Sequence, residues 1–197
     1  MNNKYIVTRS NDELQHHGIK GQKWGVRRFQ NKDGSLTPRG KQRYLNSDGT
    51  LNRSGEKKFK KTMLESMSKT KTYSKDGVEI NFKKFKDPNY SGYKDMDLLN
   101  IRINNKNVGN VQLYRNVKYR YVAIIWQEMN EEHQGKGYSQ AVTKAVIENA
   151  RKKNFKKVTL ELPYGVKENV RHMYKKMGFK EIDSSENVMR YDIEENK

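Results

Sequence analysis

The stretch from residue 118 to residue 155, KYRYVAIIWQEMNEEHQGKGYSQAVTKAVIENARKKNF, constrains the fold more than any other part of the sequence. Its beginning predicts a strand that ends near Met129, and the continuous apolar middle of that strand is typical of one covered on both faces. A loop with two glycines follows at residues 134–139, and a helix follows the loop. The helix has an apolar face at the helical period, formed by Ala141, Val142, Ala145, Val146 and Ala150.

The loop at residues 134–139 is suited to a phosphate or pyrophosphate group. Glycines let successive backbone N–H groups converge on one point, and the N-terminus of a helix adds a partial positive charge there. The loop lacks the Gly-Lys-Ser/Thr ending of a P-loop, and the strand before it opens no dinucleotide-binding βαβ unit. Two glycines before a helix are also compatible with an ordinary turn.

The region before this segment predicts antiparallel strands. Residues 72–85 alternate apolar and polar side chains around a turn at Asp76-Gly77. Residues 97–115 form two apolar runs separated by the hairpin signal Asn104-Asn105-Lys106-Asn107. Because strands come first and helices come later, we expect an α+β (mixed α/β) domain over residues 72–197.

Two motifs of this domain resemble those of the GNAT superfamily of N-acetyltransferases. The first, Arg/Gln-x-x-Gly-x-Gly/Ala, is matched by Gln134, Gly137 and Ser139, of which Ser139 is a small-residue departure. The second, Tyr-x-x-x-Gly-Phe, is matched by Tyr174 and Gly178-Phe179. The resemblance covers about residues 72–194 and implies a GNAT-like central sheet, mostly antiparallel and flanked by helices.

The resemblance also implies acetyl-CoA as the cofactor. Its pyrophosphate would lie on the glycine loop and its pantetheine arm along the end of the preceding strand. The expected contacts are therefore Met129, Gln134, Gly135, Lys136, Gly137, Tyr138, Ser139 and Asn169. Where the family often has an asparagine ahead of the tyrosine, this chain has Lys167, and Asn169 comes slightly later.

Two residues are candidates for proton transfer when an acetyl group passes to an amine. A lysine amine titrates at about 10.4, so a base or a water path must remove a proton, and the leaving thiolate needs an acid. Tyr174 matches the position that serves as this acid in many family members; the alternative is a ring that packs against the coenzyme or the core. Glu128, on the strand before the loop, is the candidate base or else an ordinary exposed glutamate.

The acceptor amine remains open. The resemblance assigns the acceptor side to the variable early strands and to the last hairpin, here ENVMRYDIEE. A protein lysine, a protein N-terminus or a small amine would each fit. The alternative function is a catalytically inactive virion protein that keeps the GNAT fold as an assembly module, because Lys167 and Ser139 depart from the family pattern inside the expected cofactor site.

Residues 1–71 form a basic N-terminal arm. The chain carries a formal net charge of +18; the arm has 17 Lys and Arg against 6 Asp and Glu, and the remainder has 24 against 17. Residues 31–44 and 46–59 repeat one pattern: Asn-x-Asp-Gly-Ser/Thr-Leu, three variable residues, Gly, and a cationic stretch closed by Tyr or Phe. Each copy predicts a tight turn followed by a short basic helix.

The repeats have two interpretations. We interpret residues 14–59 as a docking arm that binds a partner; the alternative is a small subdomain packed on the chain's own core through Leu36, Tyr44, Leu51 and Phe59. The positive charge also makes nucleic acid a possible partner.

Residues 16–44 resemble a segment near the N-termini of proteins encoded among the head and minor structural genes of tailed phages and prophages of Gram-positive bacteria. The resemblance implies association with a phage structural or host protein, in the virion or in the bacterial host cytoplasm. Within the segment, Trp24 is typical of an interface anchor, and Arg27-Arg28 can pair with carboxylate or phosphate. We expect His16-His17 to pack or to form hydrogen bonds, since the chain offers no cysteine and no nearby carboxylate cluster to complete a metal site.

The chain has no cysteine, which excludes disulfides, thiol nucleophiles and thiolate metal sites. The first residues lack the apolar core of a signal peptide, and about 18 consecutive apolar residues occur nowhere in the sequence. We therefore expect no membrane association.

Overall fold

The computed structural model describes residues 28–32, 34–90, 92–182 and 185–193. The helices are α1 (Pro38–Tyr44), α2 (Arg53–Met63), α3 (Tyr138–Lys152) and α4 (Glu168–Lys176). The strands are β1 (Lys71–Tyr73), β2 (Glu79–Lys84), β3 (Met96–Ile103), β4 (Lys106–Asn116), β5 (Tyr121–Met129), β6 (Lys157–Glu161), β7 (Lys180–Ile182) and β8 (Ser185–Asp192). Single 3₁₀ turns occur at Met67–Lys69, Pro88–Tyr90 and Glu131–His133.

The strands form one sheet in the order β1-β2-β3-β4-β5-β6-β8-β7. Every neighbouring pair is antiparallel except β5 and β6, which the crossover helix α3 joins in parallel. The structure therefore confirms the predicted α+β fold with a mostly antiparallel sheet flanked by helices.

The two predicted hairpins occur where the sequence indicates turns. Asn104 and Asn105 join β3 to β4 with φ angles of 49° and 63°. Positive φ at both central residues is the signature of the tight turn that matches strand twist, and asparagine tolerates it better than other non-glycine residues. At the other turn, β1 pairs with β2 around Asp76-Gly77, with the Ser74 amide donating to the Val78 carbonyl.

A bulge in β5 exposes side chains in a strand that the sequence predicts to be covered on both faces. Gln112 of β4 pairs with Trp126, whereas Leu113 pairs with Ile124, so Ile125 has no partner in the register. Ile125 is 50% exposed and Trp126 is 48% exposed. The expectation that both faces of this strand are covered is therefore wrong for its second half, because an extra residue in one strand changes which side chains face the core.

Helix α3 packs on the sheet as its apolar period predicts. The five predicted face residues are all buried in the same cluster as the apolar residues of the sheet: Ala141, Val142, Ala145, Val146 and Ala150. Among the residues that the structure describes, no helix is long and apolar enough to cross a membrane.

The two repeats have the same local structure. In each, a leucine forms an isolated β-bridge, Gln30 with Leu36 in the first copy and Leu45 with Leu51 in the second. The helix that follows is capped by a side chain, since Thr37 accepts from the Gly40 amide and Asn52 from the Gly55 amide. The predicted turn and short basic helix are present in both copies.

The repeats pack on the domain through aromatic rings spaced 15 residues apart. The ring of Tyr44 makes edge contacts with Phe29 at 5.8 Å and with Phe59 at 5.4 Å between centroids. Leu36, Tyr44, Leu51 and Phe59 are buried within the common core cluster. For these four side chains the structure favours packing on the chain's own core over presentation to a partner. Residues 1–27, with His16-His17, Trp24 and Arg27, lie outside the described residues.

Lys153, at the C-terminal end of α3, connects the domain to the end of α2. Its Nζ donates to the carbonyl oxygens of Thr62 at 3.1 Å and Glu65 at 2.7 Å, and to the Glu65 carboxylate at 3.3 Å. Burial lowers the pKa of this ammonium, and the Glu65 carboxylate opposes that shift. A lysine held by these acceptors fixes the segment before β1 against α3.

Candidate active site

A cleft of about 560 Å³ opens where β5 and β6 separate. The parallel pairing of the two strands ends at Ile124 and Leu160, while β5 continues to Met129. The glycine loop, the start of α3 and helix α4 surround the opening. Its lining residues are Gln127, His133, Gln134, Gly135, Gly137, Tyr138, Ser139, Gln140, Lys167, Asn169, Val170, Met173 and Tyr174.

The N-terminus of α3 is shaped for an anion. Gly135 and Gly137 have φ angles of +73° and +75°, a region that favours glycine. A Cβ built at either position would meet nothing within 4 Å, so the space in front of the backbone is open. Gly137 is the N-cap and no side chain caps the helix, which leaves the amide groups of the first turn and the helix dipole directed at the cleft.

The structure brings together most of the predicted cofactor residues. Gln134, Gly135, Gly137, Tyr138, Ser139 and Asn169 line the cleft. Met129 and Lys136 are not among the lining residues: Met129 is buried in the core, and Lys136 is exposed. The carbonyl oxygen of Met129 instead accepts a hydrogen bond from Gln134 Nε2 at 2.9 Å, which ties the loop to the end of β5.

Two polar residues that the sequence motifs do not identify hold the glycine loop in place. Gln127 Nε2 and Thr143 Oγ1 each donate to the carbonyl oxygen of Ser139, both at 2.9 Å. The Thr143 hydroxyl also lies 3.2 Å from Gln127 Oε1. Thr143 is fully buried. The signal available in the sequence was a polar residue inside an apolar pattern: Gln127 ends the apolar run of β5, and Thr143 lies on the apolar side of α3.

Tyr174 lies on α4 with its ring in edge contact with Phe179, at 5.5 Å between centroids. The residue is 8% exposed and lines the cleft. Burial raises the pKa of the Tyr174 hydroxyl, and a hydrogen bond with Thr143 opposes the shift. The hydroxyl therefore keeps its proton at neutral pH.

Glu128 does not line the cleft. It follows Gln127, whose side chain faces α3, so the alternation of a strand turns Glu128 to the opposite face of the sheet. There it is exposed, and its carboxylate accepts a hydrogen bond from Trp126 Nε1 at 3.2 Å. The candidate acid and the candidate base are thus on different sides of β5.

Comparison with known families identifies the domain. The model of the acetyltransferase (GNAT) family matches residues 62–179, more than half of the chain. The chain belongs to this family. The match begins within α2, upstream of the boundary predicted at residue 72, in the segment that Lys153 holds against α3. A separate family of unknown function (DUF7211) matches residues 7–31.

Solved structures of the GNAT type resemble the chain at low sequence identity. A GNAT family acetyltransferase from Elizabethkingia anophelis with acetyl-CoA bound is 16% identical, with a TM-score of 0.48 over 57% of this chain and 97% of its own. PaiA N-acetyltransferase from Thermoplasma acidophilum in complex with coenzyme A is 16% identical, with a TM-score of 0.43 over 50% and 61%. Mutant forms of the spermidine/spermine N-acetyltransferase SpeG from Vibrio cholerae are 17% identical, with a TM-score of 0.47 over 54% and 70%. No curated protein matches the sequence.

The GNAT domain departs from the family pattern at two positions of the cleft. Lys167 is the N-cap residue of α4, and both it and Asn169 line the cleft. Ser139 is part of the first turn of α3, and its backbone carbonyl accepts hydrogen bonds from Gln127 and Thr143. The space in front of Gly137 is open. Neither departure fills the cleft, and Lys167 adds a cation to it.

Proposed function

We propose that the chain is an acetyl-CoA-dependent N-acetyltransferase that transfers an acetyl group to an amine. The observation that carries the proposal is the cleft at the separation of β5 and β6, which combines an uncapped helix N-terminus with a buried, protonated tyrosine. These features supply the two requirements of the reaction on the cofactor side: a place for a pyrophosphate and an acid for a thiolate.

The residues present fit the cofactor. The amides of the glycine loop and of the first turn of α3 would hold the pyrophosphate, and Lys167 would add a positive charge beside it. The part of β5 beyond Ile124 has lost its pairing with β6, so its backbone groups on that side, apart from the Met129 carbonyl that accepts from Gln134, are available to the pantetheine arm. Gln127 and Thr143 would keep the loop in place through the Ser139 carbonyl.

Acetyl-CoA supplies a thioester, whose acetyl group passes to a neutral amine while coenzyme A leaves as a thiolate. Tyr174 would donate its hydroxyl proton to that thiolate. Glu128 would take the proton from the incoming amine on the other face of β5, where Trp126 orients its carboxylate. In this arrangement the amine and the cofactor reach the reacting carbon from opposite sides of the strand.

The N-terminal segment supports a second, separate proposal: that it associates the domain with a phage or prophage structural protein. The proposal rests on the resemblance of residues 16–44; the family of unknown function (DUF7211) that matches residues 7–31 overlaps this segment. A catalytically inactive assembly module is the alternative function, and the test of activity separates the two.

The test of the acetyltransferase function is direct. Native mass spectrometry of the purified chain would detect copurifying coenzyme A, and calorimetry would measure acetyl-CoA affinity. Release of free thiol in the presence of a panel of amines would then report turnover. We expect binding and amine-dependent thiol release; binding without release for any amine would favour the inactive assembly module, and absence of binding would contradict the cofactor assignment.

A further inference from the structure

Helices α1 and α2 carry a dense set of cations with a single carboxylate, Glu56. All of the cationic side chains are exposed: Arg39, Lys41, Arg43, Arg53, Lys57, Lys58, Lys60 and Lys61. The two helices pack against each other, and we call the exposed cations of both helices together the repeat surface. Among the ion pairs between described residues, none involves a lysine or arginine of the repeat surface.

The large apolar side chains of the two helices point inward. Tyr44, Phe59 and Met63 are buried in the core cluster, so the repeat surface exposes no aromatic or large apolar side chain. Protein interfaces are dominated by buried aromatic and apolar anchors, and single-stranded nucleic acid is bound by aromatic rings that stack on bases. The repeat surface offers neither. It offers charges and polar donors, which are what contacts to a duplex phosphate backbone require.

The repeat surface continues into a second cleft, of about 670 Å³, between the repeats and the domain. Four cations line this cleft, Lys41, Arg120, Arg151 and Lys156. Arg151 is paired with Glu148, and Arg120 is buried. Among its described lining residues there is no Asp or Glu. Arg120 is fixed there by two hydrogen bonds to the Asn154 carbonyl, at 3.0 and 2.8 Å, and the Asn154 side chain donates to the Gly34 carbonyl of the first repeat.

We propose that the repeat surface and the adjoining cleft bind the phosphate backbone of duplex nucleic acid without sequence preference. The interaction would be electrostatic, with cations of α1 and α2 replacing condensed counterions and the cleft receiving a phosphate at its rim. This binding uses neither the glycine loop nor Tyr174, so it can be tested independently of acetyl transfer.

The experiment uses the full chain and a fluorescently labelled DNA duplex of random sequence, about two helical turns long, titrated between about 50 and 200 mM salt. We expect the logarithm of the binding constant to fall linearly with the logarithm of the salt concentration. The test variant combines Lys57→Gln, Lys58→Gln and Lys61→Gln on α2, where glutamine keeps helix propensity. It should lose at least about tenfold in affinity, and its salt slope should fall by about one for each phosphate contact removed.

The matched control combines Lys83→Gln, Lys84→Gln and Lys106→Gln, three exposed lysines on β2 and at the start of β4. Because it removes the same charge, an equal loss in the control would show that binding follows net charge, and the assignment to the repeat surface would be wrong. Polyglutamate is titrated in the same assay as a model of an acidic protein. If polyglutamate binds and duplex DNA does not, the partner is an acidic protein and the proposal is overturned. Circular dichroism checks that both variants are folded.

Discussion

Arg115 donates a hydrogen bond to the carboxylate of Asp97 across the β3–β4 pair, with an Nη2–Oδ2 distance of 2.8 Å. The two side chains are 3% and 1% exposed. The same carboxylate accepts from the Ser66 hydroxyl and from the Met67 amide, both at 2.7 Å. This buried ion pair therefore anchors the segment that leads from α2 into β1, which agrees with the start of the GNAT family match inside α2.

Replacing Asp97 should destabilise the domain more than any surface change. In Asp97→Ala, the Arg115 guanidinium stays buried without a partner and the Met67 amide loses its acceptor, so we expect a loss of about 3–5 kcal/mol in the free energy of unfolding. Urea denaturation measures this loss. The double variant Asp97→Leu with Arg115→Met removes both charges and should lose less than Asp97→Ala alone. A larger loss in the double variant would contradict the role given to the unpaired charge.

The repeated glycines of the two units have a packing role that the structure explains. A Cβ at Gly40 would lie 1.9 Å from the Phe29 carbonyl oxygen, and a Cβ at Gly55 would lie 2.3 Å from the Tyr44 carbonyl oxygen. The helix of each unit thus passes against the backbone of the aromatic residue before it. That carbonyl also accepts a hydrogen bond from the N-cap amide of the helix, at 3.2 Å in the first unit and 2.9 Å in the second.

Gly55→Ala should therefore destabilise the second repeat by about 1–3 kcal/mol, because the backbone contact cannot relax without moving α2. Urea denaturation would measure the loss of stability, and limited proteolysis would detect faster cleavage at the repeats. Ser54→Ala, an exposed neighbour on the same helix, is the matched control and should be close to neutral. Equal stability of the two variants would show that α2 shifts freely and that the glycine is not required.

The sequence predicts what local chemistry determines. The hairpin at Asn104-Asn105, the end of β5 and the apolar face of α3 follow from turn propensity and periodicity, which depend on neighbours in the chain. The bulge at Ile125 and the Asp97–Arg115 pair depend on the register between strands and on residues distant in sequence. The inward packing of Leu36 and Phe59 is of the same kind, because periodicity identifies an apolar face without identifying what covers it.

The residues of the candidate site likewise fall into those that local motifs predict and those that depend on distant contacts. The glycine loop and Tyr174 are visible because their motifs are compact, and the structure gathers them in one cleft. Gln127 and Thr143 support the loop through a single backbone carbonyl, and nothing in their sequence neighbourhood identifies that acceptor. The sequence predicts the strand that carries Glu128, but the face on which Glu128 lies depends on the bulge that precedes it.

Gly137 provides the sharpest test of the cofactor site. Gly137→Asp places a carboxylate at the N-terminus of α3, where it would repel the pyrophosphate, and we expect acetyl-CoA binding to be lost in calorimetry. Gly137→Asn is the matched control, because asparagine has the same shape and tolerates positive φ about as well as aspartate does. We expect Gly137→Asn to keep measurable affinity. If both variants bind acetyl-CoA as the parent does, the pyrophosphate does not lie on this loop.

Tyr174→Phe tests the proposed acid. The ring would stay in edge contact with Phe179 and only the hydroxyl would be lost, so acetyl-CoA affinity should not change, whereas kcat should fall by about a hundredfold or more. Because burial raises the pKa of this hydroxyl, the parent protein should keep its acid function through neutral and mildly alkaline pH, and any decline from ionisation of Tyr174 should begin above the ordinary tyrosine range. The phenylalanine variant should lack that decline.

Tyr191→Phe is the matched control: Tyr191 is equally buried, but its hydroxyl faces Arg151 and does not line the cleft. Stopped-flow thiol release with an accepted amine gives kcat for all three proteins. An unchanged kcat in Tyr174→Phe, or an equal fall in Tyr191→Phe, would reduce Tyr174 to a packing residue and leave the thiolate to be protonated by water.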